Sequence, residues 1–161
     1  GGCVIDERAE PVAGCTAVPA LDFPTGATFS PDGRYLYVAS RNSDSIEVLS
    51  RTPGGALEHV ECFQDDVEDG RDSGCTPAAG ITTADQVTIS PDGSSLYLSS
   101  LGMLSFGDTE GSVATFRRDT ATGRLTYRNC LANGTWGMDS RYASCTPVPN
   151  GLLDPTRAAF T

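Results

Sequence analysis

Ser30-Pro31-Asp32-Gly33-Arg34-Tyr35-Leu36-Tyr37-Val38-Ala39-Ser40 decides how this chain is read. The stretch returns 60 residues later as Ser90-Pro91-Asp92-Gly93-Ser94-Ser95-Leu96-Tyr97-Leu98-Ser99-Ser100, with seven of eleven positions identical. Proline at the second place of a turn fixes φ, and glycine at its end supplies a positive φ that other residues resist. The run after the turn reads as a strand, with Leu36 and Val38 on one face and Tyr35, Tyr37 and Ala39 on the other. A turn and strand recurring at fixed period mark a repeat architecture.

Outward from that stretch, the first copy reads as four short strands: Gly26–Phe29, Tyr35–Ser40, Ile46–Leu49 and Leu57–Cys62. A polar loop at Arg41–Ser45 and a Pro53-Gly54-Gly55 turn separate the later ones. The second copy repeats the plan with Val87–Ile89, Leu96–Leu98, Val113–Phe116 and Leu125–Cys130, and with a longer loop, Leu101–Gly111, between its second and third strands. Four antiparallel strands per repeat, with no amphipathic helical stretch, predict an all-β chain built of β-propeller blades. Residues 1–23 read as the end of a preceding blade, 24–83 and 84–154 as two complete blades, and 155–161 as the first strand of a following one. A propeller needs about four to eight blades. The remaining blades of a longer parent chain are therefore expected partners.

Charge narrows the function classes. Eleven basic and 21 acidic side chains give a net charge of −10 over 161 residues. That balance repels phosphate backbones and anionic lipid, so neither nucleic acid nor a membrane surface is expected as a partner. No run of about 18 apolar residues is present, which excludes a membrane-spanning helix.

The six cysteines fall at matching places in the repeat. Cys3 and Cys15 are 12 residues apart, Cys62 and Cys75 13, and Cys130 and Cys145 15. Cys15 precedes Ser30 by the same 15 residues that separate Cys75 from Ser90. Zinc-type CxxC and CxH spacings are absent. Three local disulfides are predicted, each worth roughly 3 kcal/mol by loop closure. They imply an oxidising, extracellular or periplasmic location.

The motifs resemble the YVTN-type and lactonase-type propeller repeats, whose blades carry SPDG followed by LYV, then an I-x-V strand and a TG-x-L turn. Here these are Ser30 to Gly33, Leu36-Tyr37-Val38, Ile46 with Val48, and Thr122-Gly123-Arg124-Leu125. The resemblance covers nearly the whole chain. It implies the fold and, as one activity, lactone hydrolysis; the cysteine-closed loops suggest a secreted variant. Such scaffolds carry many activities, so the site must be argued separately.

Strand alternation puts the disulfide loops and Leu101–Gly111 at one end of the blades and the tight turns at the other. Loops on a rigid scaffold are where binding usually resides, so a protein or small-molecule ligand is expected at the loop end. The disulfides equally serve as simple braces. Asp65, Asp66, Glu68, Asp69 and Asp72 crowd one disulfide loop, where carboxylates could hold calcium or merely stay solvated; their spacing does not match a calcium-loop pattern. No cofactor is required by any motif. Trp136, Met138 and Tyr142, and Met103, Leu104 and Phe106, offer apolar contact for a partner or for the loops' own packing. The first strand of each blade should line the central channel. Thr25, Asp85 and Thr156 are then equivalent near its mouth, followed by Gly26, Gln86 and Arg157. Asp85, Gln86 and Arg157 are the candidate ligand-binding set, with ordinary polar lining as the competing reading.

His59, the single histidine, stands where Tyr127 stands in the next repeat and reads as a strand-surface residue. No Gly-x-Ser-x-Gly elbow is present, and Ser30 and Ser90 are turn residues. Asn133-Gly134-Thr135 fits a glycosylation acceptor in an exposed-looking loop, relevant only in a host that glycosylates. With no catalytic constellation visible, a secreted binding or interaction scaffold is the leading functional reading. A lactonase-like hydrolase of the 6-phosphogluconolactonase type and a structural cell-surface repeat are the alternatives.

Overall fold

The Ser-Pro-Asp-Gly turn closes on its own side chains. In a computed structural model, which describes residues 2–65, 74–103, 109–133 and 143–148, the Ser30 hydroxyl donates to Asp32 Oδ1 (2.6 Å) and accepts the Tyr35 N–H (3.0 Å). Gly33 N–H returns to Ser30 O at 2.8 Å, with φ at 69°. Ser90, Asp92, Gly93 and Ser95 repeat every one of these bonds. The motif is thus a self-satisfied reversal that launches a strand in fixed register.

Twelve strands follow in order: β1 (Cys3–Asp6), β2 (Cys15–Val18), β3 (Pro24–Phe29), β4 (Tyr35–Ser40), β5 (Ser45–Arg51), β6 (Leu57–Asp65), β7 (Thr76–Ala78), β8 (Ala84–Ile89), β9 (Ser95–Met103), β10 (Thr109–Arg118), β11 (Leu125–Asn133) and β12 (Thr146–Val148). Two five-stranded sheets form, β3-β4-β5-β6-β7 and β8-β9-β10-β11-β12, beside a β1-β2 pair. The first four strands of each sheet are antiparallel neighbours, as a propeller blade requires.

Two features differ from the sequence expectation. Each disulfide loop returns to lay a short strand parallel to the fourth one: β2 on β1, β7 on β6 and β12 on β11. Pro77 and Pro147 sit at the centre of two of these edge strands, where a missing N–H helps close the edge to further pairing. Second, Leu101–Gly111 is not simply a loop. Leu101 pairs with Gly111 and Met103 with Thr109, so β9 and β10 run on as a hairpin beyond the point where β4 and β5 stop, at Ser40 and Ser45.

The two faces of β4 enter different cores. Tyr37 and Ala39 join Ile46, Val48 and Phe63 against Leu96, Leu98, Ala114 and Phe116 of the next sheet. Phe116 lies edge-on to Phe63 at 5.2 Å and to Tyr127 at 5.6 Å, a preferred arrangement for buried rings. Val38 and Leu49, with Leu36 and Leu57 beside them, pack instead on Val18, Val4 and Leu21 from the β1-β2 side. One blade therefore buries both faces, each against a different neighbour. The cysteines pair Cys3–Cys15, Cys62–Cys75 and Cys130–Cys145, with Cα separations of 4.5, 4.7 and 4.7 Å.

Candidate functional site

The pairing fixes which loops share an end. Ser40 with Ser45, Asp65 with Ala78, and Asn133 with Val148 lie at the end where β3 and β8 begin. The Ser-Pro-Asp-Gly turns and the β5–β6 and β10–β11 turns lie at the other.

At the loop end the first strands of the two sheets meet. β3 and β8 both open on a bulge, between Pro24 and Gly26 and between Ala84 and Gln86. Thr25 and Asp85 are the bulged residues. The Thr25 hydroxyl spans the seam, donating to Ala84 O at 2.9 Å. A Cβ on Gly26 would stand 2.5 Å from Asp85 O and 3.0 Å from Gln86 Cα. Glycine stands at this place in the first repeat because the next blade's backbone fills the space. The equivalent Gln86 is exposed, and Asp85 is half-buried beside it. Arg157 lies outside the described residues. The structure thus places Asp85 and Gln86 side by side at the start of the innermost strand.

Hydrogen bonds stiffen this end. Ser45 Oγ donates to Ala20 O and, one repeat on, Ser112 Oγ to Gly80 O, both at 2.8 Å. Asp44 accepts the Thr83 N–H on its carboxylate and the Asp65 N–H on its carbonyl. The residue three places after the first cysteine of each pair is a buried polar one: Asp6, Asp65 and Asn133. Asp6 accepts from Leu21 N–H at 2.9 Å and from Arg8; burial opposes its ionisation, but these donors outweigh it and hold its carboxyl below the usual range. Asp65 is fully buried at the end of β6 and accepts the Thr82 hydroxyl at 2.6 Å. Asp65 therefore belongs to the end of β6 and is separate from the acidic run expected in the disulfide loop. Asp66, Glu68, Asp69 and Asp72 lie outside the described residues, as do Trp136, Met138, Tyr142, Leu104 and Phe106. Among the described residues no three acids, histidines or cysteines converge as a metal site.

Asn133 is a correction. It ends β11 and is 4% exposed, so the acceptor nitrogen sits inside the fold rather than on an exposed loop. His59 lies on β6 with Nδ1 2.5 Å from Glu47 Oε1, whose residue is fully buried. Burial holds the imidazole below its ordinary pKa, against the pull of the Glu61 charge. His59 is thus engaged by Glu47 within the sheet, away from the channel residues.

The other end carries what sequence reasoning missed. Arg118 closes β10 and is 3% exposed. Its Nε donates to Tyr37 Oη at 2.5 Å and its Nη1 to Gly93 O at 3.0 Å. Tyr37 Oη donates in turn to Gly123 O at 2.7 Å. Burial pushes the Tyr37 phenol up, with Arg118 opposing. Glu61 of β6 accepts Leu125 N–H (2.6 Å) and Arg124 (2.8 Å) from the next sheet. On the far face of the second sheet a depression of about 350 Å³ is lined by Ser94, Ser95, Thr115, Phe116, Arg117 and Arg128.

Among the described residues no helix is long and apolar enough to cross a membrane. No curated protein matches the chain in sequence. Solved structures do match in fold. A putative 6-phosphogluconolactonase from Bacteroides uniformis is 22% identical with a TM-score of 0.55, over 76% of this chain and 31% of that one. Another putative 6-phosphogluconolactonase, from Bacteroides fragilis, is 21% identical with a TM-score of 0.51, over 69% and 26%. The periplasmic gluconolactonase of Pseudomonas aeruginosa is 21% identical with a TM-score of 0.50, over 76% and 29%. The chain spans under a third of the length of each, the share that two blades of seven amount to. The family model for lactonase, a seven-bladed β-propeller, matches residues 27–136. With two four-stranded blades packed face to face and that match across most of its length, the chain belongs to the lactonase family of seven-bladed β-propellers.

Proposed function

We propose that these blades form part of a propeller that hydrolyses sugar-derived lactones in an extracellular or periplasmic compartment. The observation that carries the reading is the lactonase family match over residues 27–136. The three disulfides support an oxidising location. In this reading water adds to the lactone carbonyl, the ring C–O bond breaks, and the ring oxygen leaves as the hydroxyl of a hydroxy acid. Asp85 takes the proton from the attacking water as general base, and the Gln86 amide donates to the carbonyl oxygen as charge develops there. Arg157 supplies positive charge for an anionic substrate group. The geometry behind these roles is the placement of Asp85 and Gln86 at the head of the innermost strand.

The test is a lactone panel assayed with the longest polypeptide that carries these blades. Asp85→Asn should lower kcat by about 10²-fold or more, the usual loss of a general base, with unchanged unfolding. Full turnover in Asp85→Asn, or no turnover of any lactone by the parent, ends the assignment. The scaffold reading is favoured by one observation, the β9–β10 hairpin that projects further than β4–β5 at the loop end. A parent that binds lactones without turning them over would select it.

A further inference from the structure

One short loop at the loop end is held at every residue while its basic side chain is left over. Residues 41–44 join β4 to β5 in the first blade. Arg41 N–H donates to Phe23 O at 2.9 Å and Asn42 N–H to Asp22 O at 3.2 Å. Ser43 O accepts Gln64 Nε2 at 2.8 Å, and the Ser43 hydroxyl pairs with that of Ser45 at the same distance. Asp44, with φ at 48°, grips Thr83 N–H with its carboxylate. Thr83 is itself left-handed, with φ at 52°, a conformation that a β-branched residue resists. Backbone strain of this kind collects at functional sites, and Asp85 follows two residues later.

Register sets Arg41 on the side of Asp85. Ala39 faces the seam between the two blades, and Arg41, two residues on, continues that face as the strand leaves the sheet. The Thr25 hydroxyl lies 3.3 Å from Ala39 O and 2.9 Å from Ala84 O, so one side chain ties together the strand ends that carry Arg41 and Asp85. Both walls of this seam belong to the chain. Arg41 is half-buried and its Nε is fully shielded, yet among the described residues no acceptor meets that N–H. A buried donor without an acceptor is costly. Arg8, also at this end, is by contrast committed to Asp6. The fold does not require an arginine here: Leu101 holds the same place in the second repeat, its N–H donating to Thr83 O as Arg41 N–H does to Phe23 O.

We propose that Arg41 binds an oxyanion, the phosphate or carboxylate group of a ligand held at the loop end of this seam, with Asp85 and Gln86 toward the ligand's other end. A guanidinium offers such a group two parallel N–H bonds. A loop already fixed along its backbone loses little freedom on binding. In a chain of net charge −10, a local cation is also what would draw an anionic ligand to this end. In the hydrolase reading, on which the identity of the whole ligand rests, the anion is the far end of a sugar-derived lactone; the contact itself needs no turnover.

NMR on the longest polypeptide that carries these blades, isotope-labelled, tests this. The Arg41 Nε–H is shielded from solvent, so its signal should be visible, and its loss in Arg41→Gln assigns it. Sodium phosphate or sodium acetate, each exchanged for sodium chloride at constant ionic strength, should shift that signal saturably, and the anion that does so names the group. Read from the Asp85 and Gln86 amide signals, Arg41→Gln should weaken binding of that anion about tenfold or more, the worth of a charge-assisted hydrogen bond. Its urea midpoint should not move. Arg117→Gln, which removes an exposed arginine at the other end of the blades, should leave binding unchanged. No saturable shift with either anion, the same shift with chloride, or undiminished binding in Arg41→Gln would each overturn the proposal. An anion response in a protein that turns over no lactone would remove the hydrolase reading and keep this site; turnover without an anion response would do the reverse.

Discussion

Gly26→Ala isolates the contact that positions the candidate site. The added Cβ would sit 2.5 Å from Asp85 O, where ordinary contact begins at 3.4 Å, so the two innermost strands must part by about 0.9 Å. The obstacle is backbone, not a flexible side-chain tip. Overpacking of this kind costs about 1–3 kcal/mol. The same movement strains the 2.9 Å bond from Thr25 Oγ to Ala84 O, worth about 1 kcal/mol. The expected loss is about 2–4 kcal/mol in urea unfolding. Two substitutions serve as controls. Gln86→Ala, at the same repeat position but exposed, should stay within about 0.5 kcal/mol of wild type. Gly33→Ala, with φ at 69° and no atom near its Cβ, should show only backbone strain of about 1–2 kcal/mol. If the proposed lactone hydrolysis holds, Gly26→Ala should also lower turnover, because it moves Asp85. A Gly26→Ala chain within about 0.5 kcal/mol of wild type would refute the claim that the strands meet here.

Two further outcomes are expected. The Ser90 hydroxyl, with Ser94, holds the Asp92 carboxyl down to about 2. A depressed carboxylate contributes stability above its unfolded pKa of about 3.9, and this is lost as pH falls toward 2. Carboxyl-carbon NMR should find Asp92 titrating near 2, and Ser90→Ala should move it up; an unmoved titration would show that the hydroxyl is not the cause. Replacing Cys62 and Cys75 by serine should cost about 3 kcal/mol by loop closure, read by urea unfolding, and free β7 from β6. Retained hydrogen-exchange protection at β7 would show that the strand needs no clip.

Much of this fold was legible because its signals are local. The Ser-Pro-Asp-Gly turn is satisfied within six residues, Ser30 to Tyr35, so its sequence dictates its geometry. Strand alternation separated Tyr37 from Val38, and the two do enter different cores. The cysteine pairs followed from their constant place in the repeat. Other features are relations between distant segments. β7 and β12 carry a central proline, which reads as a strand breaker until parallel pairing on a disulfide-bonded neighbour makes it an edge. Nothing near Asn133 in the sequence marks it as buried, because its burial depends on how the strand packs.

The candidate site divides the same way. Repeat alignment alone brought Asp85 and Gln86 to the head of the innermost strand. Only tertiary structure showed that Gly26 differs from Gln86 because the neighbouring blade's backbone occupies the space. Nothing local in the sequence singles out Arg118; packing of one blade on the next buries it against Tyr37, 81 residues away. Periodicity reports which face a residue takes, and the partner across that face is chosen when the sheets stack.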